Sequence, residues 1–304
     1  MDEHLSNFGE TLQRSWPQKA FIDLLYIHPI ERMSSGLHPL AYVLQDARAH
    51  QIPIVPVTSS DRDADHNAEI MAADQLDHLG ASIRITERDF DSLQPIIDSL
   101  LGALQMTPEQ IDLIVDYGYA DPSLLTRTTL FLTGLIDNLP YLQAWRNVIL
   151  CGTGFPKNLS DVSANTIDQI HRAEWLIWKK IIRTGTVNRE PIFGDYGISN
   201  PEPFEGDPRF INMSANIRYT ADDKFIIFKG LITRKYGSAQ YHQLANQVVC
   251  HPEYSGRSFS AGDLYIDDVA KMNDGPGNAT SWRKAGTNHH LTYVTNELAT
   301  VSLP

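Results

Sequence analysis

Cysteine is nearly absent from this chain, which has two, Cys151 and Cys250, in 304 residues. Two cysteines are too few for the disulfide framework of a small secreted domain, and no C-x-x-C or cysteine–histidine spacing of a structural zinc site occurs. Each cysteine follows an apolar run, Val148–Leu150 or Val248–Val249. The sequence therefore predicts two buried free thiols.

Long apolar runs are also missing. No stretch approaches the ~20 apolar residues that a membrane-spanning helix needs. The first residues, Met1–His4, are acidic and polar, unlike the start of a signal peptide. We therefore expect a cytoplasmic protein without membrane contact. Hydrophobic residues make up 42% and charged residues 20% of the chain, which is typical of a folded globular protein.

Positive charge is scarce, because the formal net charge is -12 and the pI is near 5.3. Broad nucleic-acid binding needs a positive field, so it is not expected. The basic residues that do cluster are Arg209, Arg218, Lys224, Lys229, Arg234 and Lys235. They are interpreted as the charged outer face of a β-hairpin, with a phosphate or partner site as the alternative.

Nucleotide and metal motifs are missing as well, since neither G-x-G-x-x-G nor a P-loop occurs. Residues Thr153–Lys157 carry a glycine after an apolar run, and are interpreted as a strand-to-helix turn rather than a phosphate cradle. The acids Asp61, Asp63 and Asp65 superficially resemble a calcium loop but lack its glycine and its glutamate. No metal ligand and no cofactor can be assigned.

What the chain does contain is a regular alternation of strands and helices. Strands are predicted at 21–27, 52–58, 82–86, a run ending at 116, 148–152 and a run ending at 195, with helices near 37–50, 65–79, 89–104, 123–142 and 166–182. Six such units predict a parallel α/β domain, barrel-like in the TIM manner and either complete or open.

The character of the chain changes after Pro201. A hairpin is predicted from 210–220 and 224–230, followed by helices at 239–249 and 281–298. The predicted organisation is thus a strand–helix barrel domain over 1–201, with a hairpin and helical segment over 202–304 packed on the barrel mouth.

The pattern D-Y-G-x-x-x-P occurs twice, starting at Asp116-Tyr117 and at Asp195-Tyr196. In each case an apolar run leads into an acid, an aromatic residue and a glycine, as at the carboxyl end of a buried parallel strand. The repeat predicts a shared polar mouth at one edge of the sheet. The alternative is a coincidence of turn-forming residues.

The last hundred residues carry a set of motifs that together are fairly specific. These are Ser214–Thr220, Gly237 with Gln240-Tyr241, Ser260–Asp263, Gly277–Arg283 and Asn288–Leu291. Together they resemble the phage "beta protein" family, and the likeness covers nearly the whole chain. The resemblance implies a place in phage-satellite or prophage cassettes, where the beta protein restrains a toxic partner, the product of the gop killing gene, in defence against competing phages.

The resemblance also exposes a departure from the family. Members carry one or two further strand–helix units before the segment that starts this chain, which would complete an eight-stranded barrel. With six units here, the barrel is open, is closed by other strands such as the hairpin at 210–230, or belongs to a shortened relative.

Candidate site residues follow from the predicted mouth. The catalytic candidates are Asp116, Asp195, Tyr196, Arg218 and His289, and the binding candidates are Asn216, Tyr117, Trp282, Arg283, Asn288 and His290. A carboxylate pair with a histidine and an arginine suits phosphodiester hydrolysis. The alternative is a buried hydrogen-bonded network that ties the C-terminal segment to the sheet. Adjacent histidines on a helix point about 100° apart, so only one is expected to face such a site.

Two functions follow from these hypotheses. The first is restraint or regulation of a toxic partner, a toxin or nuclease encoded nearby, by protein–protein binding within a defence or toxin–antitoxin module. The second is a barrel hydrolase acting on a phosphodiester or nucleotide through Asp116 and Asp195.

Overall fold

The computed structural model describes residues 2–202 and 213–301. The chain divides into two compact units. The first unit comprises Met1–Tyr117, Phe131–Cys151 and Val187–Phe193, and the second comprises Gly118–Leu130, Gly152–Thr186 and Gly194–Pro304. The division predicted at residues 201–202 stays a prediction.

The described residues form strands and helices in an alternating order. The strands are β1 (Ala20–Ile22), β2 (Ile54–Thr58), β3 (Ala81–Thr86), β4 (Ile111–Tyr119), β5 (Asn147–Thr153), β6 (Thr166–His171), β7 (Ile192–Asp195), β8 (Ser214–Ala221) and β9 (Lys224–Ile232). The α-helices are α1 (Asp2–Leu5), α2 (Phe8–Ser15), α3 (Pro39–Ala49), α4 (Ala64–Asp77), α5 (Leu93–Leu104), α6 (Leu125–Asp137), α7 (Ala173–Thr184), α8 (Thr233–Tyr236), α9 (Gln240–Val249), α10 (Ala261–Ala270) and α11 (Ala279–Thr300).

Six of these strands form one sheet, in the order β1-β2-β3-β4-β5-β7. The neighbours from β1 to β4 run parallel, with Phe21 beside Val55 and Ile83 beside Leu113. The strands are short runs of buried apolar residues because parallel strands are covered on both faces. The prediction of a six-stranded parallel α/β sheet is confirmed, and closure into a TIM-type barrel stays a prediction.

The remaining described strands form a second sheet, in the order β6-β9-β8, with antiparallel pairing. The hairpin of β8 and β9 is confirmed, and it belongs to this sheet rather than extending the first. Residues 210–212 of the predicted hairpin strand lie outside the described residues.

Three predictions of secondary structure are wrong. The strand expected over 21–27 ends at Ile22, and the strand expected to end at Asp116 continues to Tyr119. In the third case, β6 occupies the first part of the helix expected over 166–182. Ile167 and Ile170 are three residues apart, which fits a helix face, but Ile167 pairs with Phe228 of β9 instead. The helix α7 begins only at Ala173 and ends as expected at Gly185, whose φ of 57° suits a left-handed cap.

The core of the second unit lies between the second sheet and the helices α9, α10 and α11. It contains Tyr219, Phe228, Tyr241, Val248, Ile266 and Trp282, all buried. The helix α10 was not predicted, although Ser260 caps it by accepting a hydrogen bond from the Asp263 N–H.

Close packing of α11 on β8 depends on a glycine. A Cβ on Gly286 would lie 2.8 Å from the carbonyl oxygen of Arg218 and 2.8 Å from Cδ1 of Ile198. The helix can therefore approach the strand only where this side chain is missing.

Neither Cys151 nor Cys250 forms a disulfide, as predicted, but the prediction that both are buried is wrong. Cys151 is half-buried and Cys250 is exposed, because Cys250 lies just beyond the last turn of α9. Across residues 2–202 and 213–301, no helix has both the length and the apolar character needed to cross a bilayer.

Candidate functional site

Asp116 belongs to an ion network at the strand ends of the first unit. The network also contains Asp23, which follows β1, and two arginines. Arg62 Nη2 lies 2.6 Å from Asp23 Oδ1, and Arg84 Nη1 lies 3.1 Å from Asp23 Oδ2 and 3.9 Å from Asp116 Oδ2. Two guanidinium groups thus face two carboxylates, and their charges balance.

Burial of this network explains its composition. The side chains of Arg62 and Arg84 are about nine-tenths buried, so each charge needs an opposite charge close by. Tyr117, the binding candidate beside Asp116, is also buried. The arrangement is that of a structural anchor at the carboxyl ends of β1, β3 and β4.

Asp195 lies in the second unit, at the end of β7, and its partner is His290 of α11. Asp195 Oδ2 is 2.9 Å from His290 Nε2, and His290 Nδ1 is 2.9 Å from Thr220 Oγ1. Since the carboxylate can only accept, Nε2 donates to Asp195, and Nδ1 shares a hydrogen bond with the Thr220 hydroxyl. A carboxylate, an imidazole and a hydroxyl therefore lie in series.

This series has the order of a nucleophilic triad, but its hydroxyl end is closed. Thr220 and His290 are both 0% exposed, so no substrate can reach the hydroxyl. The network instead joins α11 to β7 and β8.

A second carboxylate–histidine pair lies beside the first. His289 Nδ1 is 2.9 Å from Asp263 Oδ2, and His289 Nε2 is 2.9 Å from the carbonyl oxygen of Thr220. Asp263 also accepts hydrogen bonds from Tyr219 (2.7 Å) and Ser260 (2.6 Å). Every member of this network is a buried or half-buried residue, and the rings of Tyr219 and His289 stack with centroids 3.8 Å apart.

The pKa values of both aspartates reflect these contacts. Burial would raise the pKa of Asp195, but the hydrogen bond and charge of His290 outweigh it and hold this pKa below its ordinary value. Burial would also raise the pKa of Asp263, but the hydrogen bond and charge of His289 outweigh it. Hydrogen bonds from Ser260 and Tyr219 lower this pKa further. Both carboxylates are therefore ionised at neutral pH.

A buried acid that the sequence did not single out lies at the start of α7. Glu174 Oε2 accepts a hydrogen bond of 2.5 Å from the Gly154 N–H, and Oε1 lies 3.9 Å from Arg172 Nε. Burial is the main cause that raises the pKa of Glu174 to about 8; the charge of Asp195 adds to it and that of Arg172 opposes it. Arg172 in turn donates to Glu297 of α11 over 2.7 Å.

A cleft of about 620 Å³ opens elsewhere in the second unit. Four predicted site residues lie in its lining, namely Asn216, Arg218, Trp282 and Arg283. Residues that were not predicted join them from the segments 156–160 and 198–202 and from Lys229, Thr233 and Tyr241. The structure thus brings together part of the predicted set, on β8 and at the start of α11.

Arg218 is fixed at the wall of this cleft. Nη1 donates to the carbonyl oxygen of Ile198 over 2.6 Å, and Nε donates to Asn216 Oδ1 over 3.2 Å. Its guanidinium carbon lies 4.3 Å from the centroid of the Phe155 ring, in a cation–π contact.

The remaining candidates have other surroundings. Asn288 accepts a hydrogen bond of 2.8 Å from the Gly262 N–H, which ties α11 to α10. Tyr196 is half-buried beside Asp195. The roles proposed for all of these residues stay predictions. Among residues 2–202 and 213–301, no group of three or more histidine, cysteine, aspartate or glutamate side chains is placed to hold a metal ion.

The fold and the sites define a mixed α/β protein with buried carboxylate–histidine networks and a cleft whose lining includes two arginines. The chain belongs to the Beta protein family, whose model matches residues 1–296. This confirms the resemblance seen in the C-terminal motifs. Comparison with curated proteins and with solved structures gives no match.

Proposed function

We propose that this protein restrains a toxic partner encoded beside it, a toxin or nuclease, by protein–protein binding within a phage or prophage defence module. Membership of the Beta protein family supports this, because the resemblance implies a cassette in which the beta protein restrains a killing gene. The net charge of -12 fits a partner with a basic surface. Direct broad binding of nucleic acid and binding to membranes are not part of this proposal.

The observation that carries the proposal is the closed state of the Asp195–His290–Thr220 series. An enzyme using these groups needs a hydroxyl or carboxylate that meets its substrate. Here the imidazole and the hydroxyl are both fully buried, so the groups stabilise the second unit and leave binding as the function that the geometry favours.

The competing function is hydrolysis of a phosphodiester or nucleotide through Asp116 and Asp195. Its support is that Asp195 is ionised and that a cationic cleft exists in the same unit. Against it, Asp116 is held in the ion network of Arg84 and Asp23, and Asp195 is occupied by His290. Phosphodiesterase activity that disappears in Asp195→Asn without a change in stability would favour the hydrolase.

Co-expression with the product of the neighbouring gene tests restraint. The expected result is that cells expressing the neighbour alone die, that cells expressing both survive, and that the two proteins copurify as a stable complex. The control is Lys180→Gln, a change to an exposed lysine of the second unit, which is expected to restrain the neighbour as well as the unaltered protein does. Toxicity that persists in the presence of the full-length protein, with no complex recovered, would contradict the proposal.

A further inference from the structure

The cleft of the second unit concentrates positive charge in an acidic protein. Its described lining contains four cationic side chains and one acid: Lys157, Arg218, Lys229, Arg283 and Glu202. Lys157 and Glu202 pair with each other over 2.9 Å, so three cations are left in the lining.

The two arginines have no counter-ion in the part of the chain that the structure describes. No carboxylate in residues 2–202 or 213–301 lies within 4.0 Å of either guanidinium group, whereas Arg62, Arg84 and Arg146 all have one. Arg218 is half-buried, where an isolated charge is costly and is usually paired with an opposite charge, while Arg283 is exposed. An anionic ligand in the cleft would supply the opposite charge that Arg218 lacks.

Arg218 is preorganised for such a ligand. Its Nε and Nη1 atoms are engaged by Asn216 and Ile198, and the Phe155 ring lies beneath the guanidinium plane. Nη2 makes no hydrogen bond to any residue within 2–202 or 213–301, and it is not among the buried side-chain atoms that lack a partner there, so it is open to solvent. One N–H edge is thus available to the cleft while the rest of the side chain is held still.

Arg283 is placed beside Arg218 by the same segment of chain. Its Nη1 donates to Ser199 Oγ over 2.5 Å, while Arg218 donates to the preceding residue, Ile198. Two guanidinium groups thus bind consecutive residues and approach each other closely enough for the charge of Arg283 to act on Arg218. Guanidinium groups form strong charge-assisted hydrogen bonds with phosphate oxygens, so two of them in one cleft suit a phosphate group.

The positive charges in the cleft favour the binding of an anion that carries more than one negative charge. Burial, and then the charge of Arg283, lower the pKa of Arg218 to about 9, so the guanidinium is charged at neutral pH but at a cost that a bound anion would relieve. Lys229 adds a further charge, held by the carbonyl oxygens of Leu159 (2.7 Å) and Val162 (2.6 Å).

The size and the other walls of the cleft limit the ligand further. A volume of about 620 Å³ is that of a site for a small molecule. The ring of Trp282, stacked on Tyr241 with centroids 5.1 Å apart, supplies an aromatic wall beside the charged one. Side chains of Ser199 and Asn200 add polar groups to the lining.

We propose that this cleft binds a phosphorylated small molecule of nucleotide size, with a phosphate or diphosphate held between Arg218 and Arg283. The site is independent of the proposed restraint of a toxic partner, because it rests on the contacts of the second unit alone. The proposal assigns a binding role to Arg218 of β8 and Arg283 of α11, which are not members of the buried carboxylate–histidine networks.

Isothermal titration calorimetry of the full chain tests the proposal, with orthophosphate, pyrophosphate and ADP as probes and with acetate and adenosine as controls. Pyrophosphate and ADP are expected to bind, and the controls are expected not to. Arg283→Gln is expected to weaken binding about ten- to hundredfold, since one charge-assisted hydrogen-bonding group is lost. Arg183→Gln, a change to an exposed arginine outside the cleft lining, is expected to have no effect.

Arg218→Gln is expected to weaken binding further, but it also removes contacts of a partly buried residue. Its folding is therefore checked by circular dichroism, and the exposed Arg283 variant decides the result if it does not fold. Absence of binding by pyrophosphate and ADP, or binding that Arg283→Gln leaves unchanged, would overturn the proposal. Binding of a 5′-phosphorylated oligonucleotide much tighter than that of ADP would also overturn it, because the ligand would then be a nucleic-acid end.

Discussion

Asp195 and His290 are joined by a hydrogen bond of 2.9 Å between Oδ2 and Nε2, although they are 95 residues apart in the chain. The first ends a strand of the six-stranded sheet and the second lies in the last helix. The side chain of Asp195 is 12% exposed and that of His290 is 0% exposed, so the bond is formed almost entirely away from water. Such a bond contributes to stability mainly because either partner alone would be buried without compensation.

Replacing Asp195 tests this role. Asp195→Asn is expected to lower the free energy of unfolding by about 3 kcal/mol, because the buried imidazole loses a charged acceptor. Urea denaturation followed by circular dichroism measures the change. In a double-mutant cycle with His290→Gln, the two losses are expected not to add, since both changes break one bond. Additive losses, or an Asn variant as stable as the wild type, would show that the pair is not a structural link.

Glu174 predicts a dependence of stability on pH. Its pKa is raised from 4.5 to about 8 in the folded chain, so between these values the folded state binds one more proton than the unfolded state. The free energy of unfolding is therefore expected to fall as pH rises through this window, by up to about 1.4 kcal/mol per pH unit.

Glu174→Gln separates this effect from others, because glutamine keeps an acceptor for the Gly154 N–H but does not titrate. The stability of the variant relative to wild type is expected to grow from pH 5 to pH 8, values that lie within the window of Glu174. The pKa values of Asp195 and Asp263 are lowered from 3.8, so these groups change the stability only at a pH below the window of Glu174. A difference that stays constant with pH would contradict the assignment; Glu10→Gln, at an exposed position, is the control.

Replacement by alanine is expected to have opposite effects on stability at two helical glycines. Gly286→Ala places a Cβ 2.8 Å from the carbonyl oxygen of Arg218, so a loss of about 1–3 kcal/mol is expected as α11 shifts from β8. Gly134→Ala in α6 has nothing within 4 Å of its new Cβ, and a gain of about 0.5–1 kcal/mol is expected from helix propensity. Thermal denaturation of both variants measures these changes, and equal effects of the two would refute the packing argument.

The complex with a toxic partner is expected to weaken with salt. A protein with a net charge of -12 attracts a basic partner through long-range fields that salt screens. Raising NaCl from about 0.05 M to about 0.5 M is expected to increase the dissociation constant about tenfold, mainly by slowing association. Surface plasmon resonance gives both rates. An affinity that does not change with salt would argue for a mainly apolar interface.

The sequence predicted the six-stranded sheet well because a buried parallel strand is a local signal. Runs such as Leu113–Val115 are apolar on both faces of the sheet. The hairpin of β8 and β9 and the helix α9 were predicted from equally local patterns. The start of α7 was placed too early because β6 is selected by its pairing with β9, more than fifty residues further along the chain.

The site was predicted only in part, for a related reason. Arg218, Trp282 and Arg283 were named from their motifs, and they lie together in the cleft. The contribution of Lys229 and of the segment 198–202 depends on long-range packing that no spacing in the sequence records. The contacts of Asp195 with His290, rather than with His289, likewise depend on how α11 lies on β8.

Thr220 is hydrogen-bonded to both of the adjacent histidines of α11. Its carbonyl oxygen accepts a hydrogen bond from His289 Nε2, and its hydroxyl is hydrogen-bonded to His290 Nδ1, each over 2.9 Å. Neighbouring positions on a helix point in directions about 100° apart, so one residue of β8 is held from two sides. Sliding α11 by a single residue, or rotating it by one position, would break both bonds together. The helix therefore has one seating on the strand, and this seating fixes the position of the first turn of α11 and of Arg283 at the cleft.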